Sequence, residues 1–361
     1  MKIALLLGTR PELIKMLPVM DALDKAKIET VFIHSGQHYD DLMSGVFFRD
    51  MSIRKPDFSL GIGSGTGAWQ TAECIARLEK VLEKSAPDTV LVQGDTNTVM
   101  AGAITAASMG LRVGHVEAGL RSYDRRMPEE YNRRVADHVS HLLFAPTKDA
   151  EKILQSENVW GEVFVTGNTV IDSCERFAPA ALKKSKILKD LEHDEFILAT
   201  AHRAENVDDP EVLSGLVKIL EKAPLPVVFP IHPRTANRLK ENRLYDRLES
   251  SKNVQILEPA GYLDFLALML RCRFIFTDSG GIQEEATSPS VRKRVLVFRD
   301  STERPEAVKS GYATVVGTES ANVLAAMKRE AAGKKTVRAK FPYGDGKAGE
   351  RIVRILQGKK P

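Results

Sequence analysis

Short apolar runs rich in β-branched residues alternate with helical patterns almost from end to end of this chain, and no other feature narrows its fold as far. In the first half the runs are Lys2–Leu7, Thr30–His34, Thr89–Val92, Arg112–Val116 and His141–Ala145. Strands that alternate with helices form βαβ units, and such units form parallel sheet covered by helices. The rhythm pauses around Thr166–Asp172 and a lysine-rich stretch holding Lys183, Lys184, Lys186 and Lys189. It resumes with Phe196–Thr200, Val227–Ile231, Asn253–Leu257, Phe274–Thr277, Val295–Phe298 and Thr314–Val316. The chain therefore reads as an α/β protein of two doubly wound halves, and its 361 residues suit two domains at roughly 100–200 residues each.

Several classes of function are excluded. The longest unbroken apolar run, Phe265 to Leu270, falls far short of the roughly 18 residues of a membrane span. The start, Met1 to Arg10, has too short an apolar stretch for a signal peptide and no small-residue cleavage site after it. It reads as the first buried strand of a cytoplasmic protein. Lysine plus arginine (52) minus aspartate plus glutamate (48) gives +4, spread along the chain and not gathered into a stripe, which argues against nucleic acid and for a small partner. Cys74, Cys174 and Cys272 are odd in number, far apart and free of any Cys-x-x-Cys spacing, so they predict buried thiols, not a disulfide framework or a zinc site. The first strand ends in Gly8-Thr9-Arg10-Pro11, not Gly-x-Gly-x-x-Gly, and the glycine-rich stretch Gly61 to Gly67 has no strand before it. A nicotinamide dehydrogenase and a P-loop NTPase both lose their main support.

In open α/β sheets ligands bind outside the carboxyl ends of the strands, and the unusual polar clusters fall there repeatedly. Gly8 to Glu12, Gln93 to Asn97 and His115 to Arg121 follow strands of the first half; Ala201 to Asn206, Ile231 to Arg234, Thr277 to Glu285 and Arg299 to Glu306 follow strands of the second. Two such rows facing each other would make an inter-domain cleft. Thr9, Pro11 and Glu12 fit a capping box, which leaves Arg10 and Lys15 open to anion binding or to a solvated face. Ser279, Gly280 and Gly281 stand where a strand turns into a helix, so backbone N–H groups there can approach a phosphate with no Cβ in the way; a plain tight turn is the other reading. Glu284 and Glu285 can reach a sugar hydroxyl from the same helix or complement its dipole.

Carboxylates beside a phosphate site oppose binding unless they do acid–base work or hold a metal, and Asp95, Glu117, Glu129 and Glu130 are placed so. Paired carboxylates in a partly dry cleft can have their pKa values pushed apart into an acid and a base. Glu129 and Glu130, after Pro128, could equally start a helix, whereas Glu117, before Ala118 and Gly119, has less structural excuse. No metal-ligand spacing is present. His202 and His232 stand at strand ends beside arginines, suited to a phosphate or leaving group. His138 and His141 read as structural, and His34, Gln37 and His38 as a polar loop within reach of the cleft.

Together these motifs make a chain that resembles the non-hydrolysing UDP-N-acetylglucosamine 2-epimerases. The likeness runs nearly end to end: Gly8 to Glu12 with Lys15, Gly94 to Thr96, His115 to Arg121, Pro128 to Glu130 with Asn132 and Arg133, His202 and Arg203 with Glu205 and Asn206, Thr277 to Glu285, Thr302 to Glu306, and Pro342 to Gly346. It implies a GT-B fold of two Rossmann-like domains, residues 1–170 on the sugar side with the acid–base residues and 171–345 binding UDP, with 346–361 forming a helix that returns to the first domain. It also implies a cytoplasmic homodimer that interconverts UDP-GlcNAc and UDP-ManNAc with neither NAD nor metal. By the family pattern Phe265 would lie near the uracil and Glu285 at the ribose. Ser279, Gly280, Gly281, His202, Arg304 and Arg10 would surround the diphosphate, and Lys15, Asp95, Glu117, Glu129 and Arg133 the sugar. Asp95, Glu117 and Glu129 would move protons, and His202 would join Arg10 and Arg304 on the leaving group.

Two departures matter. The stretch Ser288 to Arg294 replaces a shorter loop, and Trp69, before Gln70, replaces an arginine that several bacterial members use for a second, activating UDP-GlcNAc. Gln37, His38, Gln70, Arg203 and His232 are the remaining candidates for that site. The alternatives are a GT-B UDP-sugar glycosyltransferase, which needs an acceptor site, a hydrolysing epimerase, which admits water, and a UDP-sugar sensor without turnover.

Overall fold

The computed structural model describes residues 1–36, 51, 53–333 and 337–360. They form two compact units: Met1–Ser173 with Gly344–Pro361, and Cys174–Tyr343. The first holds strands β1 (Lys2–Leu7), β2 (Glu29–His34), β3 (Phe58–Ser59), β4 (Thr89–Gln93), β5 (Arg112–Val116), β6 (Leu142–Ala145) and β7 (Glu162–Val165), in the order β3-β2-β1-β4-β5-β6-β7. The second holds β8 (Ile197–Thr200), β9 (Val227–Pro230), β10 (Val254–Leu257), β11 (Ile275–Thr277), β12 (Val295–Val297) and β13 (Ala313–Val315), in the order β10-β9-β8-β11-β12-β13. Every pairing is parallel. Strand order thus reverses once in each sheet, between β1 and β4 and between β8 and β11, the arrangement of doubly wound folds.

Sequence dictates this directly. Strands covered on both faces must be apolar throughout, and Ile3 to Leu7, Val90 to Val92 and Ile275 to Phe276 are all fully buried. The edge strands break the rule: β7 is exposed or half-buried along its length, and β3 has two residues. Cys74, Cys174 and Cys272 are free and buried in these cores. Among the described residues no helix is long and apolar enough to cross a membrane.

The first unit is completed by the chain's last helix, Ala348–Leu356, which packs on the helix Arg10–Lys25. Its face of Ile352, Val353, Ile355 and Leu356 is buried, and Asp172 Oδ1 accepts the Gly349 N–H at 2.8 Å. Pro18, inside the helix Arg10–Lys25, has no N–H for the Ile14 carbonyl; the Ser173 hydroxyl donates to that carbonyl instead, at 2.7 Å. The contact is close, for a Cβ at Gly349 would stand 2.8 Å from the Pro18 oxygen. Gly349→Ala is therefore expected to destabilise the protein by ~1–3 kcal/mol through overpacking, seen as a lower Tm in thermal denaturation. An unchanged Tm would mean that the two helices separate without strain.

Candidate active site

At the switch point of the first sheet, Gly8 to Glu12 follows β1, Gly94 to Asn97 follows β4 and Glu117 follows β5. Glu12 ties the first two turns together. Its Oε2 accepts the N–H groups of Gly8 at 2.5 Å and Thr9 at 3.2 Å, and its Oε1 accepts the Thr96 hydroxyl at 2.7 Å. The capping-box bond from Thr9 is thus present, and the same carboxyl also reaches the turn after β4. Burial pushes its pKa up to about 7 against these three hydrogen bonds, with Asp95 adding a smaller push. Because that value lies above the unfolded one, Glu12 favours the folded chain at low pH, and its contribution is lost as pH rises through about 7. Glu12→Gln is expected to flatten this dependence, gaining on the wild type by on the order of 2 kcal/mol between pH 5 and pH 8 in urea unfolding. Parallel curves would show that Glu12 ionises freely in the fold.

Lys15 projects from the same helix onto Glu117, its Nζ lying 2.6 and 2.8 Å from the two carboxylate oxygens. Gln93 Nε2 donates to Glu117 Oε2 at 2.5 Å. Glu117 has φ +70°, a backbone state that costs an ordinary residue about 1–3 kcal/mol. It is held there because its N–H and that of Ala118 share the Phe144 carbonyl at 3.1 and 3.2 Å. Asp95 pairs with Arg133 Nη2 at 2.5 Å, and the other arm of Arg133 lies 3.2 Å from Glu130. Burial would raise Glu130, but the Ser122 N–H and hydroxyl with Arg134 and Arg133 hold it below the usual carboxylate range. Asn132 Nδ2 donates to the Asp95 carbonyl and to Asn97 Oδ1, and Asn97 Nδ2 to Gln70 Oε1. Glu129 is half-buried in the first turn of the helix Pro128–Val139 and has no hydrogen-bond or ion-pair partner among the described residues. Arg10 is exposed at the head of its helix.

In the second unit the switch point is organised by Asp278, which follows β11 and is fully buried. Its Oδ2 accepts the N–H groups of His202 and Arg203, both at 2.9 Å, and Asn206 Nδ2 at 3.1 Å. His202 Nδ1 lies 3.2 Å from Oδ1. Burial alone would raise the Asp278 pKa; His202 and the Arg203 N–H hold it below the ordinary value. Ser279, Gly280 and Gly281 open the helix Gly280–Glu285, and a Cβ on Gly281 would meet no atom within 4 Å. Neither packing nor φ demands a glycine there. A Cβ on Gly280 would come 3.7 Å from the Arg304 guanidinium, whose Nε is 2.5 Å from the buried Glu284. Thr302 stitches this loop to the helix through Gln283 Oε1 at 2.7 Å. Glu285 and Phe265 are half-buried on their helices, Gly280–Glu285 and Tyr262–Arg271.

Lys15 with Glu117 and Asp95 with Arg133 are therefore brought together in the first unit, as are His202, Ser279–Gly281 and Arg304 around Asp278 and Glu284 in the second. Gln37 and His38 lie outside the described residues. Gln70 is nine-tenths buried and bonded to Gly63 and Asn97, whereas Arg203 contacts the Asp278 carbonyl and the exposed His232 ring stands 5.4 Å from that of His202. Burial and the neighbouring His202 hold the His232 pKa down. In the sequence Gln93 and Asp278 have no role of their own and Glu12 only that of a cap; Asp278 has a signal, an acid between a strand end and two glycines. Among the described residues no group of three or more His, Cys, Asp or Glu side chains could hold a metal ion.

The family model described as UDP-N-acetylglucosamine 2-epimerase matches residues 21–357. The UDP-N-acetylglucosamine 2-epimerase of Methanocaldococcus jannaschii is 45% identical, over 99% of each chain. The UDP-2,3-diacetamido-2,3-dideoxy-D-glucuronate 2-epimerase of Pseudomonas aeruginosa is 38% identical, also over 99% of each. The crystal structure of the M. jannaschii UDP-GlcNAc 2-epimerase in complex with UDP-GlcNAc and UDP superposes with a TM-score of 0.87 at 44% identity, covering 99% of this chain and 100% of that one. The two doubly wound units are those of the GT-B fold.

Proposed function

The chain belongs to the UDP-N-acetylglucosamine 2-epimerase family, and from that premise we propose that it interconverts UDP-GlcNAc and UDP-ManNAc without hydrolysis. The observation that carries the reading is the pair of carboxylates at one switch point, Asp95 and Glu117, each joined to a cation. No carbonyl acidifies the C2 proton of the sugar, so a free carbanion is out of reach. Removal of that proton is instead coupled to departure of UDP. The C2–H electrons form a C1=C2 bond, the C1–O electrons leave on the β-phosphate oxygen, and the product is a neutral 2-acetamidoglucal. Re-addition of UDP with a proton on the opposite face of C2 gives the epimer.

Two faces of C2 need two proton carriers. We assign proton transfer to Asp95, Glu117 and Glu129, with Lys15 and Arg133 setting the charge of the first two and contacting the sugar. Arg10, His202 and Arg304, with the backbone of Ser279, Gly280 and Gly281, stabilise the diphosphate as it leaves. Glu285 takes the ribose and Phe265 the uracil. Residues 1–170 carry the sugar chemistry and 171–345 the UDP, and Gln70, Arg203 and His232 are candidates for a regulatory UDP-GlcNAc. The protein works in the cytoplasm as a homodimer, which light scattering on the purified protein tests.

The deciding experiment is proton NMR of EDTA-treated protein in D2O with UDP-GlcNAc, repeated with UDP-ManNAc. Formation of the other UDP-sugar carrying deuterium at C2, with no NAD or metal added, is the expected result. Unchanged substrate overturns the proposal, and free sugar plus UDP reassigns the protein to hydrolysis.

A further inference from the structure

His115 stands on β5, wholly buried, in the stretch that also carries Glu117 and Arg121. Its Nδ1 lies 2.7 Å from Asp137 Oδ1 and its Nε2 2.8 Å from the Gly94 carbonyl. A carbonyl oxygen can only accept. Asp137 is ionised, because its second oxygen lies 2.7 Å from Arg121 Nη1 and 3.2 Å from the Gly119 N–H, and both are donors. A ring bonded to two acceptors carries a proton on each nitrogen. The charged groups facing it are Asp137, from the helix Pro128–Val139, and Arg121, which is itself paired with Glu157 at 2.6 Å. Burial and Arg121 work against a charged ring, and Asp137 outweighs them, so His115 keeps its proton above the usual histidine range.

The far end of this arrangement is the turn that presents Asp95. Gly94 has φ +85°, a state glycine adopts without strain. Its N–H donates to the Val116 carbonyl at 3.1 Å, its own carbonyl accepts from His115, and the next carbonyl, of Asp95, accepts from Asn132 at 3.0 Å. The turn is thus pinned at three backbone points, while the Asp95 carboxylate is left to Arg133.

We propose that His115 is a permanent buried imidazolium that positions Asp95 by clamping the Gly94 carbonyl. For the reaction, this rests on the assignment of Asp95 to proton transfer. His115 touches no substrate in this scheme, so its loss displaces a reacting group without removing a binding contact, and a misplacement of about 1 Å is enough to slow a reaction a hundredfold.

The test has a spectroscopic and a kinetic arm. In protein labelled with 15N-histidine, the His115 ring is expected to show two slowly exchanging N–H signals that do not titrate from pH 6 to 9. They are assigned by their absence in H115Q or, should that variant fail to fold, by their proximity to Gly94. H115Q and D137N are expected to lower kcat about tenfold to a hundredfold with KM for UDP-GlcNAc within threefold, and to move the amide signals of Gly94 to Thr96. A ring that titrates in that range, or that carries one proton, overturns the proposal, as does wild-type kcat in a folded H115Q. Two ring protons in a protein whose wild type does not turn over UDP-GlcNAc would leave the clamp standing and overturn the epimerase reading.

Discussion

Glu117→Gln is expected to lower turnover by roughly a hundredfold to ten-thousandfold while UDP affinity stays within a few-fold of the wild type. The amide keeps the shape of the side chain, and its oxygen can still accept from Gln93 or Lys15. What it loses is the capacity to take or give a proton at C2. Lys15 loses its ion pair with Glu117, but its side chain is partly exposed, at 17%, so solvent limits the penalty to the fold. Glu129→Gln is the companion variant. Having no partner among the described residues to lose, it should fall as far in turnover with no change in Tm. Isothermal titration with UDP beside the deuterium-exchange assay reads both. A variant that binds UDP normally and still epimerises would remove that carboxylate from the reaction.

Asp278→Ala is expected to have the largest effect on stability. Asp278 is fully buried and serves two backbone N–H groups, the Asn206 amide and the His202 ring. Truncation leaves the His202 and Arg203 N–H groups without an acceptor and takes one of two from the Asn206 amide, which costs about 3–5 kcal/mol at roughly 1–3 kcal/mol for each unsatisfied group. Tm should fall by roughly 10 °C. UDP affinity should fall at least tenfold, since the loop that carries His202 loses its anchor. Unchanged Tm and UDP affinity would show that the loop after β8 holds its own shape.

Much of this fold is legible in the chain, for a physical reason. Strands buried on both faces are mostly apolar, so the runs Lys2–Leu7 and Arg112–Val116, the second despite Arg112 and His115, are strands over those same residues, and Phe274–Thr277 differs by one residue at its start. Edge strands send no such signal. Glu162–Val165 is exposed or half-buried throughout and Phe58–Ser59 is two residues long, and neither stands out in the sequence. The pause after Thr166 is a helix, Thr169–Lys184, whose Lys183 and Lys184 complement the carbonyls of its last turn, followed by a 3-10 turn, Ile187–Lys189.

The site is legible in part for a related reason. A strand end followed by polar residues is a local pattern, so Asp95, Glu117 and Ser279 to Gly281 can be picked out one by one. Their partners cannot. Lys15 meets Glu117 across 102 positions and Asp278 meets His202 across 76, separations that only the sheet order closes. Glu12 shows the limit most clearly: a capping box accounts for it locally, and nothing local says that its second oxygen holds Thr96 on another strand's turn.

The first unit is not contiguous in the chain. It is left at Ser173 and rejoined at Gly344, so during synthesis the second unit is translated in full before the first can close. Vectorial folding usually finishes the amino-terminal part of a protein first. Here that part must wait on the ribosome with Asp172 lacking its Gly349 partner and the helix Arg10–Lys25 lacking its cover, until the helix Ala348–Leu356 has been made. Premature termination before the helix Ala348–Leu356 is complete would therefore damage a part of the molecule made far earlier.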